Sequence, residues 1–134
     1  MKKLLSIIVL SLLLSGNAYA KIIILSKCFQ TAVANEFDTE VYEKQYYKVD
    51  TNQKTLAHIS VITDEWLKNS SSKSKIIIEK YDLDYYDDDY VVGLDKKQNK
   101  TFRYTLDLKK KIVEIYIIEE KKILTYHKCE SNKL

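Results

Sequence analysis

The chain has 134 residues, with 22 basic and 19 acidic side chains and a formal net charge of +3. Because the charges nearly balance and Arg103 is the only arginine, the composition argues against nucleic acid binding, which normally needs a basic patch. The chain has only two glycines, Gly16 and Gly93, so it cannot build the glycine-rich loops of Rossmann and P-loop nucleotide sites.

Residues 1–20 have the pattern of a secretory signal peptide. Two lysines precede an apolar run over residues 4–14, and residues 18–20 read Ala-Tyr-Ala, a small-x-small cleavage site. The run is shorter than the ~20 apolar residues that a membrane-spanning helix needs. We therefore expect cleavage after this leader and a single β-rich domain over residues 21–134, without a stable membrane span. Such a short leader is typical of a bacterial protein that is periplasmic or secreted.

The two cysteines, Cys28 and Cys129, are predicted to form a disulfide, because an even pair in an oxidising compartment is usually bonded. The bond would close a loop of about 100 residues, for which the chain-entropy model gives ~4.7 kcal/mol of stabilisation. It would also join the first predicted strand to the last.

Alternation of apolar and polar residues predicts about eight short strands joined by short turns. In KTFRYTLDL, for example, Phe102, Tyr104 and Leu106 share one face, whereas Arg103 and Thr105 share the other. The predicted fold class is all-β, a small antiparallel meander that forms a barrel or a sandwich. Closure is favoured because the disulfide would bring the terminal strands together and remove exposed edges. In chain order the predicted strands are KIIILSKCFQTAV, EVYEKQYYKV, TLAHISVIT, KIIIEKYDLDYY, YVVGL, KTFRYTLDL, IVEIYIIE and ILTYHKC.

One segment interrupts the strand pattern. Residues 64–75 read DEWLKNSSSKSK, which predicts a short helical turn near residues 64–69 followed by a serine-rich loop. Thr63 or Asp64 is the predicted cap of this turn, because both residue types accept hydrogen bonds from the first backbone N–H groups of a helix.

The stretch YDLDYYDDDYVVG concentrates five aspartates, Asp82, Asp84, Asp87, Asp88 and Asp89. Aspartate accepts turn conformations, so the last three are predicted to form a turn between two strands. A partner-facing surface is the second interpretation. An irregular calcium site is the third, since calcium takes six to eight oxygen ligands. The spacing does not match an EF-hand, and no other cofactor is expected.

Charge changes sign abruptly along the middle of the chain. Residues 79–95 carry seven acids and one base, and residues 96–111 carry seven bases and one acid. We expect opposite charges to pair across neighbouring strands, with ~0.2–1 kcal/mol of stabilisation for each pair. The same separation of charge would help to steer a charged partner.

Four tyrosines around the acidic stretch, Tyr81, Tyr85, Tyr86 and Tyr90, are the candidate binding residues. Their amphipathic rings suit protein interfaces. Alternation along the strand places Tyr81 and Tyr85 on one face together with Leu83. Ordinary strand packing in a tyrosine-rich chain is the competing interpretation.

No catalytic motif is recognisable, and we assign no catalytic residue. His58 is interpreted as a hydrogen-bonded or partly exposed strand residue rather than a general base. His127 lies two residues before Cys129, so a Cys–His metal pair is conceivable, but the predicted disulfide competes for the sulfur.

The sequence therefore favours a non-catalytic binding module whose partner is another envelope or extracellular protein. The alternatives are a calcium-binding or small-ligand-carrying β-barrel, and a hydrolase that uses Asp82, Asp84 or Glu79. A secreted small β domain with one terminal disulfide resembles, in architecture, the bacterial periplasmic lysozyme inhibitors of the membrane-bound or C-type class. The resemblance implies a small barrel only, because that family's Ser-Gly-x-x-Tyr loop has no counterpart around Gly93, which lies in Val-Val-Gly-Leu.

Overall fold

The computed structural model describes residues 21–30, 41–71 and 73–133. The signal peptide predicted for residues 1–20 lies outside the described residues. The secondary structure consists of one short helix and eight strands. The helix α1 is Asp64–Asn69, and the strands are β1 Ile22–Gln30, β2 Tyr42–Asp50, β3 Thr55–Ile62, β4 Ile76–Tyr86, β5 Tyr90–Lys96, β6 Thr101–Asp107, β7 Ile112–Ile117 and β8 Lys122–Ser131.

The eight strands form a closed antiparallel barrel in which each strand pairs with its neighbours in chain order. β1 closes the barrel by pairing with β8. The predicted all-β meander of about eight strands is therefore confirmed, and it is a barrel rather than a sandwich. The barrel has two ends: the strands β1, β3, β5 and β7 end at one of them, and the strands β2, β4 and β6 end in turns at the other.

The interior of the barrel is filled by alternate side chains from all eight strands, as expected when strands alternate between a core face and a solvent face. Tyr47, Val49, Leu56, Val91, Leu106 and Val113 are fully buried. These residues, together with Leu25, Cys28, Tyr81, Tyr104, Ile115 and Cys129, form one continuous core.

The barrel seam is joined by a disulfide between Cys28 and Cys129, whose sulfurs are 2.05 Å apart. The two cysteines face each other directly in the β1–β8 register. Lys27 has φ 54° and so occupies the left-handed region, which lets both Leu25 and Cys28 point into the core. The bond predicted from the sequence is present, and it is compatible with an oxidising, extracellular compartment.

The tight turns follow a shared pattern that replaces glycine with lysine. Asp50 accepts hydrogen bonds from the N–H groups of Asn52 and Gln53, and the turn ends at Lys54 with φ 56°. In the β6–β7 turn, Asp107 accepts from Lys109 and Lys110, and Lys111 has φ 57°. Lys121 closes the β7–β8 turn with φ 52°. Aspartate thus stabilises the start of two turns, and lysine takes the left-handed position that glycine usually holds.

Helix α1 confirms the predicted helical turn at residues 64–69. Thr63 is its N-cap, with Oγ1 accepting a hydrogen bond from the N–H of Trp66 at 3.3 Å. Asp64 and Glu65 lie in the first turn and Lys68 in the last, which suits the helix dipole. In the part of the chain that the structure describes, no helix has the length and apolar character to cross a membrane.

The face predicted for Tyr85 is wrong, because β4 does not alternate to its end. The register of β4 with β5 shifts between Leu83, opposite Gly93, and Tyr85, opposite Val92. One extra residue in β4 reverses the alternation beyond this point. The Tyr85 side chain therefore does not lie on the core-facing side of β4, where Leu83 lies.

Candidate functional site

The turn between β4 and β5 is organised around the carboxylate of Asp87. Its Oδ1 accepts hydrogen bonds from the N–H groups of Asp89 and Tyr90, each at 2.7 Å. Its Oδ2 accepts a hydrogen bond from the Tyr85 hydroxyl at 2.6 Å. The Tyr85 hydroxyl, with the two N–H groups, lowers the pKa of Asp87, so this carboxyl stays ionised. The turn predicted from the aspartates is present.

Three of the four candidate tyrosines lie at this turn with exposed rings. Tyr85 is 50% exposed, Tyr90 45% and Tyr86 38%. Tyr81 is 5% exposed and belongs to the core, so it is not part of the surface that the other three form. We call Tyr85, Tyr86 and Tyr90, together with the aspartates of residues 82–89, the acidic tip.

The acidic tip keeps a negative charge after its ion pairs are counted. Asp88 is 3.4 Å from Lys21 and Asp89 is 3.2 Å from Lys109. Within residues 21–30, 41–71 and 73–133, no lysine or arginine forms an ion pair with Asp82 or Asp84. The Asp89–Lys109 pair connects the acidic and basic halves of the 79–111 region, as the charge pattern predicted.

The five aspartates of the tip have different environments. Asp87 is occupied by the turn, Asp88 and Asp89 pair with lysines, and Asp82 and Asp84 are exposed on β4. Among the described residues, no group of three or more His, Cys, Asp or Glu side chains is arranged to hold a metal ion. The calcium site stays a prediction of the sequence.

A groove lies beside the acidic tip, along the outer half of β1. It has a volume of about 370 Å³, within the size range of ligand sites. The groove exists because β8 pairs with β1 only from Ser26 onward, so residues 22–25 of β1 lie beside the turn after β6 instead. Its lining residues are Ile22, Ile23, Ile24, Leu25, Asp88, Leu108, Lys109 and Asn132.

The barrel interior also holds a polar cluster that the sequence did not predict. The rings of Tyr47 and His58 are stacked with centroids 4.5 Å apart, and the Tyr47 hydroxyl is 2.9 Å from Nδ1 of His127. Nε2 of His58 is 3.2 Å from Oε1 of Gln45. Burial, with a smaller contribution from the charge of His127, lowers the pKa of His58 to about 4.

A second stacked pair continues this cluster. The rings of Tyr81 and Tyr104 lie 4.3 Å apart and nearly parallel, and the Tyr81 hydroxyl donates to Oε2 of Glu79 at 3.1 Å. Burial raises the pKa of both phenols, and the hydrogen bond with Tyr104 raises the pKa of Tyr81 further. Both hydroxyls therefore stay protonated at neutral pH. Among the described residues, no buried side-chain nitrogen or oxygen lacks a hydrogen-bond partner.

The carboxylates considered for a hydrolase do not converge. Glu79 shares the interior face with Tyr81, whereas Asp82 lies on the opposite face of β4 and Asp84 follows at the register shift.

The sequence analysis did not predict that His58 and His127 lie close together inside the barrel. One signal was present, because each histidine alternates in phase with the apolar residues of its strand. The strand register that places the two histidines at the same height in the barrel could not be predicted from the sequence.

No protein-family model, no curated protein and no solved structure matches this chain.

Proposed function

We propose that this protein is an exported, non-catalytic binding protein that recognises a basic partner protein with its acidic tip. The observation that carries the proposal is the exposure of three tyrosine rings around an aspartate-rich turn. Tyrosine is enriched in protein interfaces and in their energetically dominant contacts, because its ring buries a large area while its hydroxyl keeps a polar partner. Asp82 and Asp84 form no ion pair among the described residues, and their charges favour a basic partner.

The tip is also organised before it binds. Asp87 fixes the turn through two backbone N–H groups and fixes the ring of Tyr85 through its hydroxyl. Side chains that are already ordered lose less entropy in a complex, so a larger part of the contact energy appears as affinity. Asp50 and Asp107 hold their turns through the same two N–H groups, so the feature of the tip that supports recognition is the hydrogen bond that orders the Tyr85 ring.

The groove beside β1 extends the proposed contact surface. It shares Asp88 with the tip and offers the partly exposed apolar side chains of residues 22–24. A partner that covers both features would meet charge at the tip and apolar surface in the groove. Acidic residues would raise the association rate, and tyrosines and apolar contacts would slow dissociation.

The proposed location is the bacterial periplasm or the medium. The leader over residues 1–20 supports export, and the Cys28–Cys129 disulfide is suited to an oxidising compartment. The partner would then be another envelope or extracellular protein.

The test is affinity capture from an extract of exported proteins, followed by titration of the purified partner in a calorimeter. The Tyr85→Ala/Tyr90→Ala variant should weaken binding at least tenfold, because such substitutions at interface centres commonly cost more than ~1.4 kcal/mol. The Asp82→Asn/Asp84→Asn variant should mainly slow association and reduce its dependence on salt.

A matched control changes an aromatic and an acidic residue at the other end of the barrel. Trp66→Ala and Glu65→Gln, both in α1 and both exposed, should leave the affinity unchanged. Equal loss of affinity in the tip and α1 variants would contradict the proposal, and so would a partner whose affinity depends on none of these residues.

A further inference from the structure

The outer wall of the barrel carries an apolar patch across β2, β3 and β4. The register places Tyr46, Ile59 and Ile78 in one row of the outer face, where Ile59 is covered by its neighbours and only 7% exposed, and Val61 and Ile76 extend the patch in the next row. Ile76 is 52% exposed and Ile78 is 55% exposed. Adjacent large aliphatic side chains on a solvent-facing wall mark a surface that contacts another molecule.

Three lysines border this patch. Lys44 lies in the row of Val61, and Lys48 and Lys80 flank Ala57 in the row on the other side. The ammonium group of Lys44 is 5.5 Å from the centre of the Tyr46 ring. We call this set of apolar residues and lysines the basic–aliphatic face.

No carboxylate lies in the three rows of the basic–aliphatic face. Glu43 precedes Lys44 but is 2.7 Å from Lys75, and Glu79 is exposed on the face of β4 that it shares with Tyr81. Asp50 and Asp82 lie in the next row, beyond Lys48 and Lys80. Over the described ranges, Lys44, Lys48 and Lys80 form no ion pair. The three positive charges are therefore available to an anionic partner.

We propose that the basic–aliphatic face binds the surface of an anionic lipid bilayer. Its chemistry has the three components of an interfacial contact: aliphatic side chains that enter the headgroup region, a tyrosine at the polar boundary, and lysines that reach anionic headgroups. A barrel wall is convex, and a lipid surface can adapt to a convex shape. A second copy of the chain fits poorly, because a symmetric contact would bring the lysines of both copies together.

This membrane contact is compatible with the proposed function but independent of it. Asp87 follows Ile78 by nine positions, roughly 30 Å at ~3.3 Å per residue, but Asp82 of the tip follows Lys80 by two positions on the same face, ~7 Å away. The turn and its tyrosines therefore lie beyond the Debye length of ~8 Å at physiological salt, whereas Asp82 lies within this length of Lys80 and weakens the attraction of that lysine for anionic lipid. A protein bound by its wall would leave the tip free to meet a partner.

The experiment uses the oxidised protein, purified after export, in sedimentation with vesicles of phosphatidylcholine alone or mixed equally with phosphatidylglycerol. We expect binding to the mixed vesicles that weakens as salt is added, and little binding to the neutral vesicles. Replacing lysines 44, 48 and 80 by glutamine should lower the partition coefficient about a hundredfold, from roughly fivefold for each lysine. Ile76→Ser/Ile78→Ser should also lower it.

Two control variants make the same chemical changes elsewhere. Lys110→Gln/Lys121→Gln/Lys128→Gln removes three exposed lysines outside the face, and Ile123→Ser/Leu124→Ser removes two exposed aliphatic side chains of β8. Each should bind the mixed vesicles as the unchanged protein does. Circular dichroism and thermal unfolding check that every variant is folded.

Three outcomes would overturn the proposal. The first is equal binding to neutral and anionic vesicles, and the second is an equal loss of binding in the face and control variants. The third is no vesicle binding together with self-association or capture of an acidic protein through the lysine face. Variants of Tyr85 and Tyr90 should not alter vesicle binding, so failure of the membrane contact and failure of tip recognition are distinguishable.

Discussion

The ring of Tyr47 lies parallel to the imidazole of His58 inside the barrel, with ring centroids 4.5 Å apart. The contact joins β2 to β3, where Tyr47 and His58 face each other in the register. His127 of β8 lies beside both rings, with its Nδ1 2.9 Å from the Tyr47 hydroxyl. Two histidines that are 69 residues apart in the chain therefore share one tyrosine, with ring centroids 5.8 Å from each other. Protonation of His58 is therefore disfavoured both by its burial and by the nearby charge of His127.

This arrangement makes the stability of the barrel depend on pH. Burial lowers the pKa of His58 from 6.5 in the unfolded chain to about 4 in the fold. Between these values the unfolded state binds a proton that the folded state does not bind, so stability falls as the pH decreases from 6.5 to 4. The expected loss is about 3 kcal/mol, from 1.36 kcal/mol for each pKa unit.

The measurement is urea unfolding at pH 7 and at pH 4, for the unchanged protein and for His58→Gln. Glutamine can keep a hydrogen bond with Gln45 but does not titrate, so the difference between the two pH values should shrink by about 3 kcal/mol. An unchanged pH dependence in His58→Gln would show that other groups cause it.

The fold could be predicted from the sequence because each of its signals is local. Alternation fixes which residues of a strand face the core, aspartates and polar runs mark the turns, and Thr63 marks the start of α1. The disulfide required only the pair Cys28 and Cys129 and their compartment. These signals together predicted an antiparallel meander, favoured its closure, and left a barrel or a sandwich open.

The interior cluster was not predictable because it depends on register. Alternation places His58 and His127 on the core faces of β3 and β8 but does not say which residues of the two strands lie at the same height. The extra residue of β4 between Leu83 and Tyr85 was missed for a similar reason. A bulge leaves no clear composition signal, and a shift by one residue moves each later side chain to the other face.

Gly93 is required by packing rather than by backbone conformation. A Cβ atom at this position would lie 2.6 Å from Cδ2 and 3.2 Å from Cβ of Leu56, which is fully buried in the core. We expect Gly93→Ala to destabilise the protein by about 1–3 kcal/mol, the usual cost of overpacking a core. Chemical unfolding measures this change directly.

A double-mutant cycle separates this contact from a general effect on β5. Leu56→Ala alone should cost about 2–5 kcal/mol because it leaves a cavity. Adding Gly93→Ala to Leu56→Ala should cost less than adding it to the unchanged protein, because the clashing atom is gone. Simple additivity of the two changes would rule out the Leu56 contact as the reason for the glycine.

Asp87 offers a test that separates the turn from a calcium site. Asp87→Ala removes the acceptor for two backbone N–H groups and for the Tyr85 hydroxyl, so the unfolding midpoint should fall by roughly 5 °C. Asp88→Ala should leave the midpoint nearly unchanged, because the ion pair of Asp88 with Lys21 is exposed and contributes little to stability. Adding calcium to the unchanged protein should not raise the midpoint. A calcium-dependent rise that is lost in both variants would support a metal site instead.

The lysines in the left-handed region provide a stabilising prediction. Lys54, Lys111 and Lys121 each close a turn with φ between 52° and 57°, where a side chain costs about 1–2 kcal/mol and glycine costs almost nothing. Glycine also increases the entropy of the unfolded chain, which cancels about 0.4–1 kcal/mol of this gain. We therefore expect each Lys→Gly change to stabilise the protein by about 0.5–1 kcal/mol.

The three changes lie in separate turns, so their effects should add to about 2 kcal/mol and raise the unfolding midpoint measurably. Lys110→Gly is the matched control, because Lys110 lies in the same turn as Lys111 but has a negative φ. Lys110→Gly relieves no backbone strain, so this change should be neutral or destabilising. If Lys110→Gly stabilised the protein as much as Lys111→Gly, loss of a positive charge in a lysine-rich turn would explain the gain, and backbone conformation would not.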